Sequence, residues 1–191
     1  GMEHWHPNPD FFYQPGGGPI LDLGPYYLGN LIHLIGPISR VTAFSSTPEK
    51  ERTITSEERF GERISVETPT TIHAVLQFDN GALVTLGASW DVWDHGHPHI
   101  ELYGTEGALR IPDPNIFSGE LQISSRDGGF DPVPKWDHPF GIENEEYDTG
   151  WIANYRSAGL ADLAKAIREG REARCLIQRP LHAVEVMTAI L

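Results

Sequence analysis

"TIHAVLQFDNGALVTLGASW", residues 71–90, is the stretch on which the fold turns. Thr71 to Phe78 alternates, so Ile72, Ala74, Leu76 and Phe78 share one face of a strand. Asp79-Asn80-Gly81 is a strong hairpin turn. Ala82 to Trp90 returns, with Ala82, Val84, Leu86 and Trp90 on one face. That apolar face suits a cover of helices. The other carries Thr71, His73, Val75, Gln77, Leu83, Thr85, Gly87 and Ser89, small and partly apolar.

Upstream, Val41 to Ser45 reads as a strand, and the charged residues 46–68 as a hairpin or a mobile excursion. A helix is predicted from Pro19, with Leu21, Gly24, Leu28, Leu31 and Ile35 as its apolar stripe. Proline suits its first turn, Gly36-Pro37 ends it, and Pro25 should cost a hydrogen bond or a kink. Residues 3–18 are irregular but aromatic enough to pack against something. Downstream, Ile100 to Tyr103, Ala108 to Ile111 and Leu121 to Ser124 read as short strands. Two helices close the chain, one from about Trp151 to Glu169 before Gly170, one from Pro180 onward. Helix, antiparallel strands, helices is an α+β order: an open, mostly antiparallel sheet with helices packed on one face. No βαβ alternation is present, so no Rossmann domain is encoded in this chain. Residues 1–191 are read as a single domain.

A content of 39% apolar and 21% charged residues places the chain among globular proteins. No apolar run approaches the roughly 18 residues that a bilayer crossing needs. The formal net charge of −13 repels nucleic acid backbones and anionic membranes, so neither is expected as a partner. Cys175 is the only cysteine, which rules out an internal disulfide and favours a cytoplasmic location.

Gly16-Gly17-Gly18 invites a phosphate-cradle reading. Such a loop needs a buried strand that delivers it to a helix N-terminus, and only Pro-rich polar chain precedes Gly16. The alternative is a backbone that must pass close to a neighbour. Within the following helix, Asp22, Tyr26 and His33 fall at i, i+4 and i+11, on one face roughly opposite the apolar stripe. Such a stripe serves either solvation or chemistry. Asp22 sits between Ile20, Leu21 and Leu23 and needs a partner. No Lys or Arg precedes Arg40 to provide one.

Gly16-Gly17-Gly18-Pro19-x-x-Asp22-x-Gly24-x-Tyr26 resembles the GGG-x-x-x-D-x-G-x-[HY] signature of the glucose–fructose oxidoreductase/inositol dehydrogenase/MocA family. Ile100 to Gly107, Asn154-Tyr155-Arg156 with Gly159 to Leu163, and His182 to Met187 resemble further segments of the same family. The resemblance implies the C-terminal α+β substrate-binding and dimerisation domain of an NAD(P)-dependent oxidoreductase of sugars, polyols or related cyclic alcohols. It also implies a truncated domain, starting after the usual first helix and strand and ending before the last strand. The G-x-G-x-x-G and Glu-Lys-Pro motifs of the cofactor domain are missing, so NAD or NADP belongs to the full-length context and none is expected on this chain. Asp22 would then position substrate and the cofactor domain's lysine, and Tyr26 would be the acid/base. An unperturbed phenol near pKa 10 is a poor base at pH 7, and Asp22 without the lysine opposes its ionisation. The chain alone is therefore expected to be inactive. Gly16, Gly17 and Gly18 would lie near the nicotinamide.

Tyr13, Trp93 and His33 are the candidate substrate contacts, aromatic rings being suited to stacking on sugars. Two other readings stand beside the oxidoreductase one. The first is a non-enzymatic module that binds or dimerises through its sheet; a homodimer paired through the mixed face is expected in either case. The second is a metal hydrolase using His95, His97 and His99, although Pro98 breaks the strand, no fourth ligand is evident, and no metal site is expected.

Overall fold

The computed structural model describes residues 1–117, 119–126, 128–147 and 150–191. Its helices and strands, in chain order, are α1 (Pro19–Ile35), β1 (Ile38–Ser46), β2 (Glu51–Thr53), β3 (Arg63–Ser65), β4 (Thr71–Phe78), β5 (Leu83–Ser89), β6 (Ile100–Tyr103), β7 (Ala108–Ile111), β8 (Gln122–Ser124), β9 (Asp131–Pro132), β10 (Glu145–Tyr147), β11 (Gly150–Ile152), α2 (Ala158–Glu169) and α3 (Gln178–Ile190). Short 3-10 turns at Met2–His4 and Asp10–Tyr13 precede them. The chain divides into two compact units, one of Gly1–Asp94 with Ile177–Leu191, the other of His95–Leu176.

The first unit is built on the hairpin of residues 71–90. β4 pairs with β5 in the register Ile72↔Ala88, Ala74↔Leu86, Leu76↔Val84. β1 adds to its other edge with Ala43↔Ala74 and Val41↔Leu76, giving the antiparallel order β1-β4-β5. Ile72, Ala74, Leu76 and Phe78 are buried, as the alternation predicts. Helices α1 and α3 pack against each other and against this sheet. The buried seam of α1 is Ile20, Gly24, Leu28, Leu31 and Ile32. It is rotated from the expected stripe, leaving Leu21 and Ile35 half-buried. The cause is α3: a Cβ on Gly24 would stand 2.7 Å from Met187 Sδ, so the bare glycine is the point of closest approach. α1 continues through Pro25, and the Gly36 N–H closes its end on the Ile32 carbonyl.

Residues 46–68 resolve into the β2–β3 hairpin. A second core forms beneath it from Tyr13, Ile54, Ile64, Val66 and Trp90. The aromatic N-terminal segment therefore packs inside this unit.

The second unit holds the antiparallel sheet β6-β7-β8-β9, the ladder β10-β11, and α2. Here the expected boundaries need correction. Residues 150–152 form a strand, and the helix begins only at Ala158. The reason is a loop closed by asparagines: the Asn144 side chain accepts the Asn154 N–H at 2.7 Å and donates to the Asn154 carbonyl at 2.9 Å. That exchange holds the segment extended against β10. Gly170, at φ 66°, ends α2 as expected. Among the described residues no helix is long and apolar enough to cross a membrane.

Candidate functional site

The glycine run is required by the backbone itself. Gly16 and Gly18 both have φ 93°, a region that side chains disfavour. A Cβ on Gly17 would lie 2.3 Å from the Phe12 carbonyl oxygen, and one on Gly18 would lie 3.1 Å from that of Pro69. The loop is thus wedged between residues 11–12 and 68–69. It passes directly into α1, where the Asp22 N–H donates to the Gly18 carbonyl at 3.1 Å.

Asp22 is half-buried, and its carboxyl has no hydrogen-bond or ion-pair partner among the described residues. Burial raises its carboxyl above the ordinary value, because the ion loses hydration and gains nothing in return. Tyr26 follows one turn later on the same face, about 6 Å along the axis. It is also half-buried, and its backbone carbonyl accepts from the Asn30 side chain at 2.9 Å. The pair presents a carboxylate that lacks a cation next to a phenol, at the end of a loop without side chains.

The other candidates lie elsewhere. His33 is exposed in the last turn of α1, about 16 Å along the axis from Asp22. Arg179 Nη1 lies 2.9 Å from its Nδ1. A guanidinium only donates, so Nδ1 accepts and the ring proton sits on Nε2. Trp93 is 92% exposed, with its ring 5.9 Å from that of His4. Tyr13, expected at the substrate, is a correction: it is 0% exposed. Its hydroxyl donates to Glu3 and accepts the Met2 N–H at 3.0 Å, and its ring meets Trp90 edge-on. The side chain is core and offers no surface to a ligand. His95 and His97 stand with rings 6.1 Å apart, but among the described residues no group of three His, Cys, Asp or Glu side chains is arranged to hold a metal.

Sequence reasoning missed a buried polar node beneath the glycine loop. Arg52 donates from Nη1 to Glu3 Oε1 at 2.8 Å and from Nη2 to Asp91 Oδ1. Burial alone would raise the Glu3 carboxyl, but the hydrogen bonds from Tyr13 and Arg52 outweigh it and hold it below the ordinary value. The same surroundings push the Tyr13 phenol up, through burial first and then the Glu3 hydrogen bond and charge. The only signal in the sequence was parity: Arg52, in β2, falls in alternation with Ile54 just beyond the strand.

Comparison with known proteins agrees with this architecture. No curated protein matches the sequence. Among solved structures, an NAD-binding oxidoreductase from Klebsiella pneumoniae is 25% identical, over 92% of this chain and 48% of that one, with a TM-score of 0.64. Aldose-aldose oxidoreductase from Caulobacter crescentus, complexed with glycerol, is also 25% identical, over 92% of this chain and 44% of that one, at 0.61. Levoglucosan dehydrogenase in complex with NADH and L-sorbose, 22% identical, shares the fold over 97% of this chain and 53% of that one, at 0.66. The chain spans about half the length of these relatives. The family profile of the GFO/IDH/MocA C-terminal domain matches residues 2–110, more than half of the chain. This chain belongs to the GFO/IDH/MocA C-terminal domain family.

Proposed function

We propose that this chain is the substrate-side domain of an NAD(P)-dependent oxidoreductase acting on a sugar, polyol or related cyclic alcohol. The observation that carries the reading is Asp22: a half-buried carboxylate, raised by burial, without a partner among the described residues, one turn before Tyr26. Such a group calls for a cation from outside the unit. A lysine from a cofactor domain is the partner this reading assigns to it. The names of similar proteins lean the same way, being an NAD binding oxidoreductase, a levoglucosan dehydrogenase in complex with NADH and L-sorbose, and an aldose-aldose oxidoreductase.

The nicotinamide cofactor supplies a hydride acceptor when bound. Gly16, where an added Cβ would meet nothing within 4 Å, offers open backbone for the approach of a planar ring, while Gly17 and Gly18 are closed off by the Phe12 and Pro69 carbonyls and anchor the loop that leads to Asp22. Tyr26 takes the hydroxyl proton of the alcohol as its carbon is oxidised and returns it in the reverse direction. Asp22 orients the substrate hydroxyl and the lysine, whose charge favours the phenolate. Trp93 offers an open ring for stacking on a sugar. His33, distant from the pair, reaches only a substrate that extends along α1. The chain by itself binds neither NAD(H) nor NADP(H) usefully and is inactive; a micromolar dissociation constant by calorimetry would refute this.

In the same reading the chain pairs with a second copy through the outer face of β1-β4-β5, in the cytoplasm. Phe44, Val75 and Leu83 stand exposed on that face at 81%, 47% and 69%, flanked by Thr42 and Thr85. Light scattering on wild type and Val75→Lys tests the pairing: the expected result is a dimer that the lysine weakens, and a wild-type monomer at tens of micromolar speaks against it.

The decisive experiment on the reaction centre is Tyr26→Phe in a polypeptide that also carries a dinucleotide-binding domain. Loss of a positioned acid/base lowers turnover by about 10²–10⁴-fold. Wild-type turnover in that variant would remove Tyr26 from the chemistry.

A further inference from the structure

Arg52 occupies a position where strand parity demands an apolar side chain. It is 7% exposed, and arginine is seldom buried so far without partners. Its two carboxylate partners come from distant segments, Glu3 in the N-terminal 3-10 turn and Asp91 just after β5. Its guanidinium lies 5.4 Å from the centroid of the Tyr13 ring. Nε has no hydrogen-bond partner among the described residues, so the fork is committed to the two acids.

Each acid holds one wall of the glycine loop. Glu3 accepts the Tyr13 hydroxyl, and this fixes the 3-10 turn Asp10–Tyr13. The Gly18 N–H donates to the Phe12 carbonyl of that turn at 2.8 Å, and Gly17 rests on the same carbonyl. Asp91 accepts the Thr70 hydroxyl at 2.9 Å and the Thr71 hydroxyl as well, which fixes the start of β4. Gly18 rests on Thr68 and Pro69, immediately before it. Arg52 is the side chain that joins the two walls, and the Gly18 carbonyl passes the result to the Asp22 N–H at 3.1 Å.

We propose that Arg52 is a positioning residue that sets the Gly16–Gly18 loop, and through it Asp22, while touching neither. A planar fork suits this task better than an ammonium, because its two ends meet two acids at a fixed separation. The consequence for Asp22 in catalysis rests on the reading given under Proposed function; the consequence for the loop does not.

The test compares wild type with two variants of the same chain. Arg52→Lys keeps the charge and loses the fork. The triple variant Glu3→Gln, Arg52→Met, Asp91→Asn removes all three charges at nearly constant volume, so no ion is left buried alone. Amide hydrogen exchange is followed in peptides covering residues 14–22, 71–78 and 178–190. The expected result in both variants is exchange at least tenfold faster in 14–22, with the other two segments unchanged. NMR titration of the Asp22 carboxyl should then show it moving back toward the ordinary carboxylate range as the loop opens to water. Unchanged protection of residues 14–22 in both variants would overturn the proposal. So would an equal loss in all three segments, including failure of both variants to fold, because Arg52 would then be a general core residue. Neither readout depends on redox activity. An active Tyr26→Phe enzyme together with a localised exchange effect would sink the assigned chemistry and leave the positioning role standing.

Discussion

Glu3 and Asp22 are both carboxylates drawn out of water, Glu3 fully buried and Asp22 half-buried, and they differ in their polar partners. Glu3, 3% exposed, receives the Arg52 fork and the Tyr13 hydroxyl. Asp22, in the first turn of α1, receives no side-chain donor among the described residues. Burial pushes both carboxyls up; at Glu3 the hydrogen bonds reverse the push, and at Asp22 nothing opposes it. A desolvated charge is costly unless paired, so the node completes itself inside its own unit whereas Asp22 is left open to a partner from outside. The two acids are distinguished here by what donates to them.

The largest expected effect comes from breaking the completed side. Arg52→Ala leaves Glu3 and Asp91 facing each other without a cation, and loss of one partner of a buried pair costs about 3–5 kcal/mol. Asp22→Ala should cost almost nothing in the same urea titration, since no partner is lost. A loss below about 1 kcal/mol for Arg52→Ala, the range of an exposed pair, would erase the contrast.

Tyr13→Phe should be intermediate. It removes one donor to Glu3 and the acceptor of the Met2 N–H while keeping the ring in its core. A buried acceptor left short of a donor costs about 1–3 kcal/mol. Full stability in the variant would mean that Arg52 alone satisfies Glu3.

The finest test is pH, where the two acids act with opposite sign. The Glu3 carboxyl lies below its reference of 4.5 in the folded chain, so its contribution is present above that value and is lost as pH falls through the folded one. Glu3→Gln should flatten the acid limb of the stability curve. The Asp22 carboxyl lies above its reference of 3.8, so its penalty is absent at lower pH and complete once pH exceeds the folded value. Asp22→Asn should therefore raise the Tm at pH 7 by on the order of 1–2 °C, a fraction of a kcal/mol for a chain of this size, and leave it unchanged at pH 3. A gain at both pH values would mean that the carboxyl is not desolvated.

Local periodicity was enough to place the β4–β5 hairpin and the α1 helix, because each depends on neighbours within one turn or one hairpin. Tertiary structure decided the rest. Arg52 meets Glu3 and Asp91 across 49 and 39 residues, a distance over which no spacing rule operates. The fate of Tyr13 followed from those partners, since a tyrosine beside a glycine loop reads alike whether it faces a ligand or a buried carboxylate. The seam of α1 was set by Met187 against Gly24, and the late start of α2 by asparagines that close a loop. Sequence alone determines which side chains an element can present; long-range packing determines whether a given acid is already paired, and that pairing separates Glu3 from Asp22.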